Sequence, residues 1–184
     1  MELSKTSYVI LGMLRLGRRT GYEIKSLVDV STRHFWAASY GQIYPELKRL
    51  EDSGMITGEA EAQGGRQRRA FTLTPLGEEA LEAWIASGGS LHIELRHEGM
   101  LRFFFADATG QDEQVELLNT IRREHEAVRE QLTDIRGGAE AAHIERGERF
   151  PLMTVDFGIA YQDFIVNWCL DTERKISESP EKRS

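Results

Sequence analysis

The sequence predicts a mainly α-helical fold with one small β-hairpin, in which a first group of helices is closed by the hairpin and an all-helical region follows. Three observations lead there. Apolar residues recur at three- and four-residue spacing along most of the chain. Only between residues 56 and 73 does the period drop to two, on either side of Gly64-Gly65. A linker-like stretch, Ser87-Gly88-Gly89-Ser90, separates the two parts. With 184 residues and 40% hydrophobic composition, the chain can bury one core, or one small domain plus a helical appendage that shares a partner's core.

The stretch from Leu3 to Leu16 carries Tyr8, Val9, Leu11, Met13 and Leu14 and reads as a buried helix that ends at Gly17. Thr20 opens a second helix reaching about Val30, with Glu23 completing a Thr-x-x-Glu capping box. Ser39 and Gln42 repeat the device for a third helix, in which Ile43, Leu47 and Leu50 fall on one face and which stops at Gly54. Pro45 removes a backbone donor there and presses on the Gly41 carbonyl, so this helix either bends or becomes regular only near Tyr44.

The alternating segments give two strands: Ile56, Gly58 and Ala60 lead into the glycine turn, and Ala70 to Leu73 lead out of it. Thr74 and Pro75 then begin a fourth helix whose expected apolar face is Leu76, Ala80, Leu81, Trp84 and Ile85. Beyond the linker, Met100 to Ala106 is apolar and rich in phenylalanine. From Gln114 to Arg136, the positions Leu118, Ile121, His125, Val128, Leu132 and Ile135 form a coiled-coil-like seam, in which His125 is expected to fix register or to be solvated. A last helix, from about Leu152 to Lys175, is studded with aromatics. Its apolar surface exceeds what one supporting layer covers, which predicts a homodimer. The expected domains are 1–88, 89–176 for dimerisation and effector binding, and a fraying tail at 177–184.

The formal net charge of -7 hides an asymmetry: residues 1–73 hold 11 Lys and Arg against 8 Asp and Glu, and the remainder 12 against 22. A mildly basic front joined to an acidic rear suggests that only the front meets a polyanion. No run approaches the ~20 apolar residues of a membrane helix. The first residues lack the pattern of a secretory signal, and Cys169 stands alone, so a cytoplasmic protein is expected. No Gly-x-Ser-x-Gly, Walker loop or Cys/His ligand spacing is present, so neither an enzyme nor a cofactor nor a metal site is expected, even though His92 and His97 lie near Glu94 and Glu98.

Three helices followed by a two-stranded hairpin is the element order of a winged helix-turn-helix, which places one helix in the major groove and the hairpin against the neighbouring backbone. Arg66, Arg68 and Arg69 crowd the hairpin tip, where guanidinium groups suit phosphate or a narrow minor groove. If Ile43, Leu47 and Leu50 face inward, then Gly41, Pro45, Lys48 and Arg49 point outward, with Gln42 placed to read an adenine edge and Tyr44 to meet a phosphate.

Gly21-Tyr22-Glu23-Ile24, Ile43-Tyr44-Pro45-Glu46-Leu47-Lys48-Arg49-Leu50-Glu51 with Gly54-Met55-Ile56, and Arg69-Ala70-Phe71-Thr72-Leu73-Thr74-Pro75-Leu76-Gly77 together resemble the PadR-type transcriptional regulators. The later region is similar to that of longer members with a virulence-activator-like C-terminal domain; Ala70 stands where such members usually carry an aromatic or basic residue. The resemblance implies a homodimer that binds an inverted repeat in double-stranded DNA, usually as a repressor, and lets go when a small phenolic or aromatic effector binds. The DNA-binding candidates are Tyr22, Lys25, Ser39, Tyr40, Gln42, Tyr44, Pro45, Lys48, Arg66, Gln67 and Arg68. Effector candidates are Arg96, Arg102, Phe105, Phe157, Tyr161 and Trp168, although aromatics at helical spacing also make ordinary core. Two alternatives stay open: a winged-helix protein-interaction module that does not bind DNA, and a transcriptional activator.

Overall fold

The computed structural model describes residues 3–63, 66–88, 91, 93, 95–146 and 148–178. Its backbone divides into two units, Met1–Leu91 and His92–Ser184. Helix α1 (Lys5–Arg15) starts at Ser4, whose hydroxyl accepts the Ser7 N–H at 3.1 Å. It gives way to Gly17, whose φ of 82° suits glycine. Helix α2 (Gly21–Val30) has the expected capping box: Thr20 Oγ1 accepts the Glu23 N–H at 3.2 Å, and Glu23 Oε2 accepts the Thr20 N–H at 3.0 Å.

Helix α3 (Tyr40–Asp52) follows Ser39 directly, so Pro45 does not delay its start to Tyr44. Gly41 and Pro45 are both exposed, and water can serve the carbonyl that proline deprives of its donor. Ile43, Leu47 and Leu50 are buried as their spacing requires. They join Ile10 and Leu11 of α1, Ile24 and Val28 of α2 and Ile56 in one core, each side chain contributing about 1.5–3 kcal/mol.

Strands β1 (Ile56–Gln63) and β2 (Arg66–Leu73) pair antiparallel, from Ile56 opposite Leu73 to Gln63 opposite Arg66. The turn glycines, Gly64 and Gly65, lie outside the described residues. Directly opposed residues share a face, so Ile56, Gly58 and Ala60 lie with Leu73, Phe71 and Arg69, while Arg68 belongs to the other face. The base of the hairpin is anchored by the Phe71 N–H to the Arg19 carbonyl at 2.6 Å and by the Thr74 N–H to the Met55 carbonyl at 3.1 Å.

Helix α4 (Pro75–Ala86) seats itself differently from its expected apolar face. Leu76 and Ile85 are exposed, and the buried stripe is Gly77 and Leu81. A Cβ at Gly77 would stand 2.1 Å from the Met55 carbonyl oxygen, so the helix approaches through its glycine and turns its two outer aliphatics away. Trp84 stacks on Tyr8 at 4.5 Å.

The second unit consists of α5 (Glu98–Phe104), α6 (Gln111–Glu145) and α7 (Arg149–Glu178). Helix α6 runs past the expected end at Arg136 and through Gly137 and Gly138. Each glycine costs about 1 kcal/mol, which the alanine- and glutamate-rich sequence after them can absorb. Helix α7 likewise continues to Glu178, so Ser177 and Glu178 of the expected fraying tail are helical, and residues 179–184 lie outside the described residues. The seam of α6 packs on α7 of the same chain: Leu118 and Ile121 join Ile165 and Cys169, and Gly158 leaves room for Leu132. The antiparallel pair is tied by Arg136 Nε to Asp156 at 2.8 Å and Gln111 Nε2 to the Ile176 carbonyl at 3.0 Å. What stays exposed on α7 is a different stripe, Phe150, Met153, Phe157 and Phe164. No helix among the described residues is long and apolar enough to cross a membrane.

Two histidines join α5 to this pair. His97 caps α5 by accepting the Met100 N–H at Nδ1 (3.2 Å), and its Nε2 lies 2.9 Å from His125 Nε2. Its proton therefore sits on Nε2 and points at His125, which in turn donates from Nδ1 to Gln162 Oε1. Two neutral rings fill every role; a second proton on His97 would oppose the Met100 N–H. Burial, and then the neighbouring His125, hold the His97 pKa below its usual 6.5. The unfolded chain thus binds more protons than the folded one, and the contribution is complete above the unfolded pKa and shrinks as pH falls through it. We expect His97→Asn, which keeps a capping acceptor but does not titrate, to lose less of its denaturation midpoint than the unmodified protein between about pH 7.5 and about pH 5.5. Equal losses would place the pH dependence on other groups.

Candidate nucleic-acid interface

The outward side of α3 is prepared by what holds its inward side. Glu46 of α3 accepts from Ser4 Oγ at 2.8 Å and from the buried Ser7 hydroxyl, and so sets the rotation of the helix about its own axis. Tyr40, Gln42, Tyr44, Pro45 and Lys48 are exposed as a result. The Tyr40 and Tyr44 rings stack at 6.1 Å, and Lys25 Nζ of α2 sits 5.3 Å over Tyr40 while it pairs with Asp29. Tyr44 lies against Gly21, where an added Cβ would be 2.8 Å from its ring, so the start of α2 can approach α3 only through glycine.

Between α2, α3 and the hairpin runs a groove of about 740 Å³, whose walls include Tyr22, Tyr44, Lys48 and Arg68. Four of the residues named from sequence therefore converge on one concavity, and Lys25 and Tyr40 adjoin it through Tyr44. The Arg66 and Gln67 side chains lie outside the described residues. Ser39 stands at the N-terminus of α3, where its N–H donates to Gln42 Oε1 at 2.9 Å. The acceptor that Gln42 needs to read an adenine edge is thus occupied by a cap, and its amide N–H groups remain to face outward.

The electrostatics differ from a plain basic patch. Lys48 pairs with Asp52 at 3.0 Å, Lys25 with Asp29, and Arg69 with Glu51 at 2.6 Å. Arg68 is exposed and makes no ion pair among the described residues. Arg69 does not join Arg66 and Arg68 as the sequence predicts: it shares the face of Phe71 and turns to Glu51 of α3. The signal was in the two-residue strand period, which separates Arg69 from Arg66 and Arg68. At the head of α2, the Arg19 N–H, and after it Thr20, hold the Glu23 carboxyl below the usual carboxylate range.

In the C-terminal unit the effector candidates lie in several places. Tyr161 packs edge-on to His125 and Trp168 edge-on to Phe103 at 5.3 Å, both partly buried against the core, while Phe105 and Phe157 are exposed. Arg102 pairs with Glu98 and is the one of the six that lines a cavity of about 460 Å³ against α6. Arg96 is exposed ahead of α5. Among the described residues, no group of three or more His, Cys, Asp or Glu is placed to hold a metal.

Comparison with known proteins matches residues 10–83 to the transcriptional regulator PadR-like family and residues 95–177 to the virulence activator alpha C-terminal family. The negative transcriptional regulator PadR of Bacillus subtilis is 32% identical over 152 residues, covering 82% of this chain and 81% of the relative. The crystal structure of Bacillus subtilis PadR in complex with operator DNA superposes with a TM-score of 0.83 at 27% identity, over 96% of this chain and 99% of that one. The same protein in complex with p-coumaric acid gives a TM-score of 0.71 at 26% identity, over 94% and 98%. With both units matched in order and a relative of this identity aligned along most of its length, the chain belongs to the PadR-like family of transcriptional regulators.

Proposed function

We propose that this protein is a cytoplasmic, homodimeric repressor that binds an inverted repeat through α3 and the hairpin and is released by a small aromatic acid. The observation that carries the DNA reading is the convergence of Tyr22, Tyr44, Lys48 and Arg68 on one groove beside the exposed side of α3. A helix is narrow enough for the major groove, and Arg68 on the wing is placed for the adjoining backbone. Tyr22, Lys25, Ser39, Tyr40, Gln42, Pro45, Arg66 and Gln67 complete the contact surface in this reading. Cations that meet phosphate displace condensed counterions, so affinity falls with salt in proportion to the contacts made.

The exposed stripe of α7 supports self-association, because Phe150, Met153, Phe157 and Phe164 recur on one side of a helix whose other side is already covered. A planar acid of the p-coumaric type is the effector class. Arg96 or Arg102 would meet its carboxylate and the aromatics Phe105, Phe157, Tyr161 and Trp168 its ring.

Three measurements follow. In anisotropy titrations on the protein's own promoter DNA, Arg68→Ala should weaken cognate and random duplexes alike and reduce the log-log salt slope by roughly 0.9 for each lost phosphate contact; an unchanged slope places Arg68 off the backbone. By sedimentation at micromolar concentration, Phe157→Glu should be a folded monomer where the unmodified protein is a dimer, and a dimeric variant would remove the α7 stripe from the interface. Addition of p-coumaric acid or related acids should lower operator affinity. If none of a panel of aromatic acids does so, the effector class is wrong.

A further inference from the structure

The outermost contact between the wing and the body of the N-terminal unit, among the described residues, is a forked ion pair. Arg69 Nη1 lies 2.9 Å from Glu51 Oε2 and Nη2 lies 2.6 Å from Glu51 Oε1, so each guanidinium N–H₂ group addresses its own carboxylate oxygen. Nη2 also donates to the Gly58 carbonyl at 3.3 Å, and the guanidinium sits 5.6 Å from the centre of the Phe71 ring. The site is cut to fit: a Cβ at Gly58 would come within 2.7 Å of Glu51 Oε1 and 2.9 Å of Arg69 Nη2.

A half-exposed pair of this kind adds little to folding stability. Its geometry does something else. The anchors at Phe71 and Thr74 hold only the base of the hairpin, and three residue pairs extend beyond Arg69 toward the tip, a lever of about 10 Å. Glu51 stands in the last turn of α3, the helix that faces the groove. A bidentate fork fixes both distance and plane, which a point charge does not.

We propose that Arg69 and Glu51 are positioning residues that set the angle of the wing to α3, and thereby let the major-groove and backbone contacts be made together on the cognate half-site. This rests on the DNA-binding reading above. Both side chains line the groove, but each is engaged by the other, and in this proposal the pair acts through the position of Arg68 and not by a DNA contact of its own.

The test uses the full-length protein, its own promoter DNA and a random duplex of equal length, with Glu51→Ala, Arg69→Ala, the double variant and Arg69→Lys. A positioning role predicts that all four lower the ratio of operator to random affinity by a similar factor, on the order of tenfold. The double variant should be no worse than either single one, and the salt slope and thermal midpoint should stay close to those of the unmodified protein. Arg69→Lys is decisive, since it keeps the charge and removes the fork. A direct phosphate contact by Arg69 would instead leave Arg69→Lys near normal, lower the slope for Arg69→Ala and spare Glu51→Ala; any of these results overturns the proposal. If the unmodified protein fails to prefer its promoter over random DNA, the DNA reading itself has failed, a result separate from loss of preference only in the variants.

Discussion

The N-terminal unit is organised around one partly buried carboxylate. Glu46 takes hydroxyl donors from Ser4 and Ser7, and Ser4 also caps α1. An ionised group that is largely removed from water has to be satisfied there or it becomes costly, so the start of α1 and the middle of α3 cannot shift independently. The rotation of α3 follows from that constraint: Ile43, Leu47 and Leu50 go to the core, and the tyrosines, Gln42 and Lys48 go outward. Gly21 and Gly77 then set how near α2 and α4 come, because at both positions a methyl group would collide with what lies opposite.

Much of this was legible in the chain. Thr20 with Glu23 and Ser39 with Gln42 announced two helix starts, since each pair satisfies orphan donors reciprocally. The change of period at Ile56 marked the hairpin, and the three-four spacing from Leu118 to Ile135 marked the buried side of α6. What escaped has physical reasons. The face of α4 was misjudged because hydrophobicity favours Leu76 and Ile85, whereas seating depends on how close Gly77 can come to a carbonyl that sequence does not place. The apolar seam ended near Arg136, yet α6 runs on through Gly137 and Gly138, whose cost of about 1 kcal/mol each does not stop a helix this long. The pairing of Lys48 with Asp52 followed an i,i+4 rule that was available, while that of Arg69 with Glu51 joins residues far apart in sequence and needed the fold.

The C-terminal unit redistributes the apolar surplus that suggested a partner. The seam of α6 is consumed within the chain by α7, so the apolar surface still exposed on α7 includes the aromatic stripe of Phe150, Met153, Phe157 and Phe164. The exposed stripe and the internal packing adjoin along one helix, since Tyr161 and Trp168, which follow Phe157 at i+4 and i+11, pack against the internal cluster. At the small position Gly158, where a Cβ would stand 3.0 Å from Leu132, α6 and α7 come close.

The pre-paired cations of the interface have a kinetic side. Lys25, Lys48 and Arg69 are each met by a carboxylate of their own molecule, which weakens the field they project across solvent. On the proposed reading, such a face would linger briefly on unrelated duplex, because a passing phosphate must compete with an acid already in place. Time lost to the vast excess of other genomic sequence would thereby be reduced, and residence reserved for a site that offers contacts beyond charge.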